Sequence, residues 1–331
     1  MNPQKGIGKA SLKCEPSIDR RFFGVTGGQD PGLGLLFMTA NLLLLLTAAI
    51  WGFGFVAQVL GMNYLGPFAF IAARFFLGAL SLLPVIGYLS RQAQEESSET
   101  PTDVQAVVVG SLVLGTILFA ASSFQQVGLI YTTASNAGFI TGMYMIFVPV
   151  IGLMLGVATR LVAWLGCLIA CVGLFLLGVD ESWSVAYGDW LQLAGALLWA
   201  LHILAIDHFT KQAPGLLLAF GQFVVCATLA GLTSTGIVAE TTTLDQLVLA
   251  IPTLIYAGVV TVGVAYTLQI IAQARAHPTS AGIILSLEAV FGAIGGYWLL
   301  NEVLTGRQLL GCALMLLGMV LSQLNFSKSS G

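Results

Sequence analysis

Ten stretches of mostly apolar residues, each near the roughly 20 that a helix needs to cross a bilayer, dominate this 331-residue chain. They fall near 35–60, 67–89, 104–124, 131–156, 161–179, 189–208, 214–236, 247–271, 278–300 and 306–325. Because the bilayer interior offers no water to satisfy backbone groups, such segments must be helices, and the alternating pattern of a membrane barrel is absent. The chain is therefore expected to be an all-α integral membrane protein with ten transmembrane helices. Composition agrees, since 57% of the residues are hydrophobic and 8% charged, against about 25% charged in soluble domains. This balance excludes a soluble enzyme, a nucleic-acid binder and a disordered chain. The remaining segments are residues 1–34, a hydrophilic loop over 90–103, short turns and a stub after Leu324, and no soluble catalytic domain fits in them. Cys167, Cys171, Cys226 and Cys312 lie within apolar runs without metal-ligand spacing, and read as small core residues. No cofactor is expected.

Basic residues accumulate on the cytoplasmic side of a membrane protein. With ten spans and the N-terminus inside, the inner segments hold Lys5, Lys9, Lys13, Arg20, Arg21, Arg91, Arg160, Lys211, Arg275 and Lys328, whereas the outer ones hold only Arg307. The outer loops carry Asp180, Glu181, Asp189, Glu240, Asp245 and Glu302 instead. Both termini are thus expected in the cytoplasm, with residues 1–34 a cytoplasmic extension. The first apolar run exceeds a signal-peptide core and is expected to stay as an anchor, and Glu15, Asp19 and Asp30 speak against a transit peptide.

The fourth and ninth runs superpose. Ala137-Gly138 matches Ala281-Gly282, Phe147 matches Phe291 and Gly152 matches Gly296. One residue out of register, Leu165-Gly166-Cys167 matches Leu310-Gly311-Cys312 and Gly173 matches Gly318, while Trp51 aligns with Trp199 and Arg74 with Gln222. Two five-helix repeats follow, over 35–179 and 189–325. An odd number of spans per repeat places the second copy upside down relative to the first, the inverted-repeat plan of many secondary transporters.

Several blocks resemble a known family. Trp51-Gly52-Phe53-Gly54-Phe55, Phe70 to Phe75, Thr133-Ala134-Ser135-Asn136-Ala137, Leu285-Ser286-Leu287-Glu288-Ala289-Val290-Phe291, Asn301-Glu302-Val303-Leu304-Thr305 and Gln308-Leu309-Leu310-Gly311 are similar to EamA-type members of the drug/metabolite transporter superfamily. The resemblance covers about 290 residues, from the first span to the tenth. It implies an inner-membrane carrier of two inverted five-helix repeats that moves small metabolites such as amino acids, usually outward. Ala289 departs from the family, which often has proline there, and this predicts a straighter ninth helix.

A charge at the bilayer centre costs at least about 2.5–3.5 kcal/mol on insertion scales. Glu288 lies eleven residues into the ninth span and Arg74 seven into the second, nearer the outer surface, where it could snorkel. Gly292 and Gly296 follow Glu288 on one face, where another backbone can approach. Glu288 reads either as a proton or substrate-amine site, with desolvation favouring its neutral form, or as half of a static lock with Arg74 or a hydroxyl. His202, on one face with Trp199, could relay protons or simply pack through a hydrogen bond. Trp51, Phe55 and Gln58 form a stripe on the first helix, and Tyr266, Gln269 and Gln273 one on the eighth. Each stripe could bind a small polar solute or hold helices together, the second role being favoured for Gln58 and Gln273. Ser135 and Asn136 enter the fourth helix ahead of Gly138 and Gly142, and Tyr144 takes the place that Glu288 has in the second half.

The leading function is a secondary carrier with a small-molecule substrate, the lipid bilayer as its solvent and the proton as candidate coupling ion. No Walker motif supplies ATP chemistry. An intramembrane enzyme would need a nucleophile with a base or clustered metal ligands, and the candidates stand on different helices. A structural or receptor-like protein is argued against by the repeat and the intramembrane carboxylate.

Overall fold

The computed structural model describes residues 32–95, 103–132, 134–178, 186–299 and 305–324, which are helical apart from short turns, with no strand among them. Ten helical segments follow in chain order. They are α1 (Gly32–Gly61), α2 (Pro67–Glu95), α3 (Val104–Gly128), α4 in two halves (Ala134–Thr141 and Tyr144–Met154), α5 (Leu161–Gly178), α6 (Tyr187–Phe209), α7 (Gly215–Leu232), α8 (Leu244–Gln273), α9 in two halves (Pro278–Leu285 and Glu288–Leu299) and α10 (Gly306–Gln323). Eight of these are long and apolar enough to cross a membrane, whereas the apolar parts of α5 and α10, Leu161–Leu176 and Gly306–Ser322, are shorter. An 18-residue helix such as either of these is about 27 Å long, close to the roughly 30 Å of a hydrocarbon core.

Local chemistry fixes several helix ends. The Asp103 carboxylate accepts from the Ala106 amide at the start of α3, and Thr243 with Gln246, and Thr305 with Gln308, close reciprocal capping boxes on α8 and α10. Pro67 and Pro278 stand at the first turns of α2 and α9, where a missing amide hydrogen costs nothing. Pro149, inside α4, removes the bond that would satisfy the Met145 carbonyl. The Cys167 thiol of α5 donates to that oxygen instead, at 3.3 Å.

The helices pair as a two-fold arrangement demands. α1 packs on α9 as α6 packs on α4, α2 on α8 as α7 on α3, and α3 on α6 as α8 on α1, while α2 meets α7 and α5 meets α10 across the axis. The α5–α10 seam shows the exchange residue by residue. A β-carbon on Gly166 would stand 2.6 Å from the Gly318 carbonyl oxygen, and one on Gly173 would stand 2.6 Å from that of Gly311. Swapping Gly166 with Gly311 and Gly173 with Gly318, the correspondence read from the sequence, turns one contact into the other. The seam is antiparallel, so the equivalent helices run in opposite directions.

Both α4 and α9 are interrupted at equivalent places. At Met143 and Met145 the amides reach back three residues, to Ile140 and Gly142, and at Leu287 and Ala289 they reach Ile284 and Ser286 in the same way. In the second repeat the Ser286 hydroxyl also donates to the Ile283 carbonyl, competing for helix acceptors. The straight ninth helix expected from Ala289 is therefore corrected. The interruption precedes that position and does not need proline. A second irregularity lies in α8, which is π-helical over Ile255–Tyr266, just after Pro252. Such widened turns concentrate at functional sites.

Candidate functional site

The two interruptions face one cavity. Glu288 is the first residue of the second half of α9 and Tyr144 the first of the second half of α4, and both line it. Trp51, Phe55 and Gln58 come from α1, Arg74 from α2, Gln125 from α3, Thr141 from α4, Trp199 and Ile203 from α6, and Thr261, Tyr266 and Gln269 from α8. The cavity holds about 40 Å³ of water-accessible space, room for about three water molecules at roughly one probe sphere each. That is well below the roughly 300 Å³ of a small ligand pocket, so the helices here stand closed around the site.

An arginine and a glutamate side chain share this space without pairing. Arg74 and Glu288 are each 4% exposed, and no ion pair joins them. The expected alternative of a static Arg74–Glu288 lock is thus absent. Arg74 does not snorkel to a surface either. Its guanidinium carbon lies 5.8 Å from the Phe70 ring centroid and 5.1 Å from that of Phe75, which holds it inward. Arg74 Nε, Glu288 Oε1, Tyr144 Oη, Gln58 Oε1, Gln269 Oε1 and Trp199 Nε1 are all buried without a hydrogen-bond partner. Unpaired buried polar atoms are costly, and six of them line this one cavity.

An aromatic frame surrounds these groups. Tyr266 lies tilted at 4.6 Å from Trp51, stacks at 6.1 Å from Trp199, and lies 5.9 Å from Phe75. The Trp51 indole donates to the Thr261 carbonyl at 3.1 Å, and Thr47 reaches the Ala265 carbonyl at 3.3 Å, so the π-helical turn of α8 is bonded to α1. Beyond Gln58, Gln125 Nε2 donates to the Thr141 hydroxyl, Thr141 donates to Gln192 Oε1, both at 3.4 Å, and Gln192 Nε2 donates to the Gln125 carbonyl at 2.8 Å.

Of the residues singled out in the sequence, Glu288, Arg74, Trp51, Phe55, Tyr266 and Gln269 meet in this cavity. Gln58, favoured as helix glue, lines it too, whereas Gln273 Nε2 bonds the Ile203 carbonyl at 3.2 Å and does hold helices together. His202 stands behind the lining. It is fully buried, edge-on to Trp199 and Tyr266, with Nε2 2.8 Å from Gln222 Oε1 and Nδ1 without a hydrogen-bond partner. The side chains of Ser135 and Asn136 lie outside the described residues, although their backbone belongs to α4. Gln125, Thr141 and Thr261 were not singled out. The signal was present, since each is a polar residue inside an apolar run. Among the described residues no group of three or more His, Cys, Asp or Glu is placed to hold a metal ion.

Polar ties between the repeats lie outside the cavity. The Glu240 carboxylate accepts from the Phe68 and Ala69 amides, at 3.2 and 2.7 Å, and from the Ser234 hydroxyl, capping the N-terminus of α2. Between the α4–α5 turn and the start of α9, His277 Nε2 meets the Ala158 carbonyl at 3.0 Å, and the Thr159 and Thr279 hydroxyls bond at 2.9 Å.

The sequence profile of the EamA-like transporter family matches this chain twice, over residues 38–179 and 186–324. The chain belongs to the EamA-like transporter family. Two proteins of Archaeoglobus fulgidus, each described as an uncharacterized transporter, are similar to it. One is 31% identical over 325 residues, covering 93% of this chain and 92% of its own, and the other 28% identical over 275 residues, covering 79% and 89%. A protein of known crystal structure superposes with a TM-score of 0.65 over 89% of this chain and 97% of its own, at 17% identity, and shares the fold. The chain is a multi-pass membrane transporter made of two repeats, with a small-molecule substrate and the bilayer as its partners.

Proposed function

We propose that this EamA-family protein is a secondary active exporter of small metabolites such as amino acids, exchanging them for protons across the plasma membrane. All ten helical segments cross the bilayer, the repeats extend over 35–179 and 189–325, and both termini, with the extension 1–34, face the cytoplasm. Glu288 is the coupling group.

The observation that carries this reading is the Glu288 carboxylate, buried at the interruption of α9, with Oε1 unpaired in a cavity between the repeats. Secondary carriers place coupling groups at such discontinuous helices near the midplane, and rock one repeat against the other around them. A carboxylate costs more the less water surrounds it, so closure that changes the solvation of Glu288 changes its proton occupancy. One carboxylate can then hold a solute ammonium on the way out and a proton on the way back.

The test compares wild type with Glu288→Gln in proteoliposomes. The variant, which keeps a hydrogen-bonding amide but has no group to titrate or to pair with an ammonium, is expected to lose uptake driven by a pH gradient. Intact gradient-driven transport in the folded variant would refute the coupling role.

A further inference from the structure

Arg74 is the intramembrane charge for which proton coupling gives no account. A guanidinium stays protonated under all ordinary conditions, and placing it within a membrane protein requires a counter-charge or a polar surround. Among the described residues it has no paired counter-charge, although polar side chains line the same cavity. No carboxylate pairs with it, and its Nε lacks an acceptor. The flanking rings of Phe70 and Phe75 offset part of the cost through cation–π attraction. They accept none of its N–H bonds.

The side chain is also held in place. Phe75 packs 6.0 Å from Phe223 and 5.9 Å from Tyr266, so the ring beneath the guanidinium belongs to a fixed aromatic cluster. At the equivalent position of the second repeat Gln222 is neutral, and its Oε1 bonds His202. The cavity's guanidinium therefore comes from one repeat and its carboxyl group, Glu288, from the other. Each keeps an unsatisfied atom in the shared cavity instead of bonding the other.

A planar guanidinium fork matches a carboxylate in a way that no neutral group does. We propose that Arg74 selects the transported solute by binding its carboxylate, so that the cavity takes small zwitterions, carboxylate toward Arg74 and ammonium toward Glu288, and refuses amines that lack an acid group. This rests on the cavity being the transport site. It assigns Arg74 a specificity role separate from coupling.

The experiment measures melting-temperature titrations of the purified full chain, and counterflow in proteoliposomes, with alanine, valine and phenylalanine, each beside its amide and its decarboxylated amine. Wild type is expected to bind at least one amino acid about tenfold or more tightly than the matching amide and amine, the factor expected when a buried charged donor is left unpaired. Arg74→Gln should remove that difference, and Arg74→Lys, which keeps the charge without the fork, should retain part of it. Monodisperse elution of the variants controls for folding. Equal binding of acid and amide by wild type, an undiminished preference in Arg74→Gln, or binding of no member of the panel by wild type would each overturn the assignment. Counterflow of the amide or amine would overturn it while leaving the carrier reading intact. Acid-selective binding that Arg74→Gln abolishes, without any counterflow, would support Arg74 as the carboxylate site and overturn both the carrier reading and its role in transport.

Discussion

Gly52 is where α1 and the second half of α9 cross, and Gly52→Ala is a sharp test of how the coupling carboxylate is positioned. A β-carbon there would lie 2.5 Å from Phe291 Cβ, 2.7 Å from the Glu288 carbonyl oxygen and 2.7 Å from the Gly292 amide nitrogen. Two of these are backbone atoms, which cannot rotate away. To restore ordinary contact at 3.4 Å the helices must separate by about 0.9 Å, right at the residue that begins the half-helix. Alanine gains up to about 1 kcal/mol in helix propensity, and overpacking costs about 1–3 kcal/mol. With the full propensity gain the net loss is therefore on the order of 0–2 kcal/mol. Displacement of a working group by about 1 Å can cost as much as 10²-fold, so gradient-driven transport is expected to fall by more than about tenfold. Gly292→Ala is the control. Its β-carbon would meet only the Gly52 carbonyl oxygen, at 3.6 Å, and its effect on stability should stay within about 0.5 kcal/mol. Reversible unfolding in mixed micelles and proteoliposome transport measure the two quantities. If Gly52→Ala is tolerated as well as Gly292→Ala, the close crossing of α1 and α9 is not what holds Glu288.

Reporter fusions after Ser330 and within 241–245 should report opposite sides of the membrane, and the same side for both would sink the ten-span topology. Glu240→Ala removes the acceptor of two amides at the start of α2 and of the Ser234 hydroxyl; the midpoint of unfolding should show a loss of about 1–2 kcal/mol, and Glu240→Gln, which keeps one acceptor oxygen, should lose less. His202→Leu leaves Gln222 without its buried partner and should cost about 1–3 kcal/mol while gradient-driven transport persists. Lost coupling with unchanged stability would transfer the proton to His202.

Helix type and order were legible in the chain itself. A run of about twenty apolar residues has one backbone solution in a bilayer, so α1 to α10 appear in the described structure within a few residues of where hydrophobicity places them. The repeat was legible too, because close helix contact admits only small residues, and Gly166, Gly173, Gly311 and Gly318 are the sites of that contact. Glu288 and Arg74 stood out because charge in an apolar segment is rare enough to need a reason.

The pairing of those charges was not legible. Seven residues into one span and eleven into another fixes depth and leaves azimuth open, so the sequence allowed an ion pair that the structure does not form, Arg74 packing over Phe70 and Phe75 instead. The interruption of α9 carries no proline to mark it, and the π-helical turn of α8 is bonded to α1, an element some two hundred residues away. Gly52, one glycine among 39, gained its importance only once α9 lay against it. Apolar periodicity states that a segment is buried in lipid or protein, because the cost of exposure is local. Which side chains converge on a cavity is decided by helix rotation and crossing, which depend on contacts between distant residues that no local pattern encodes.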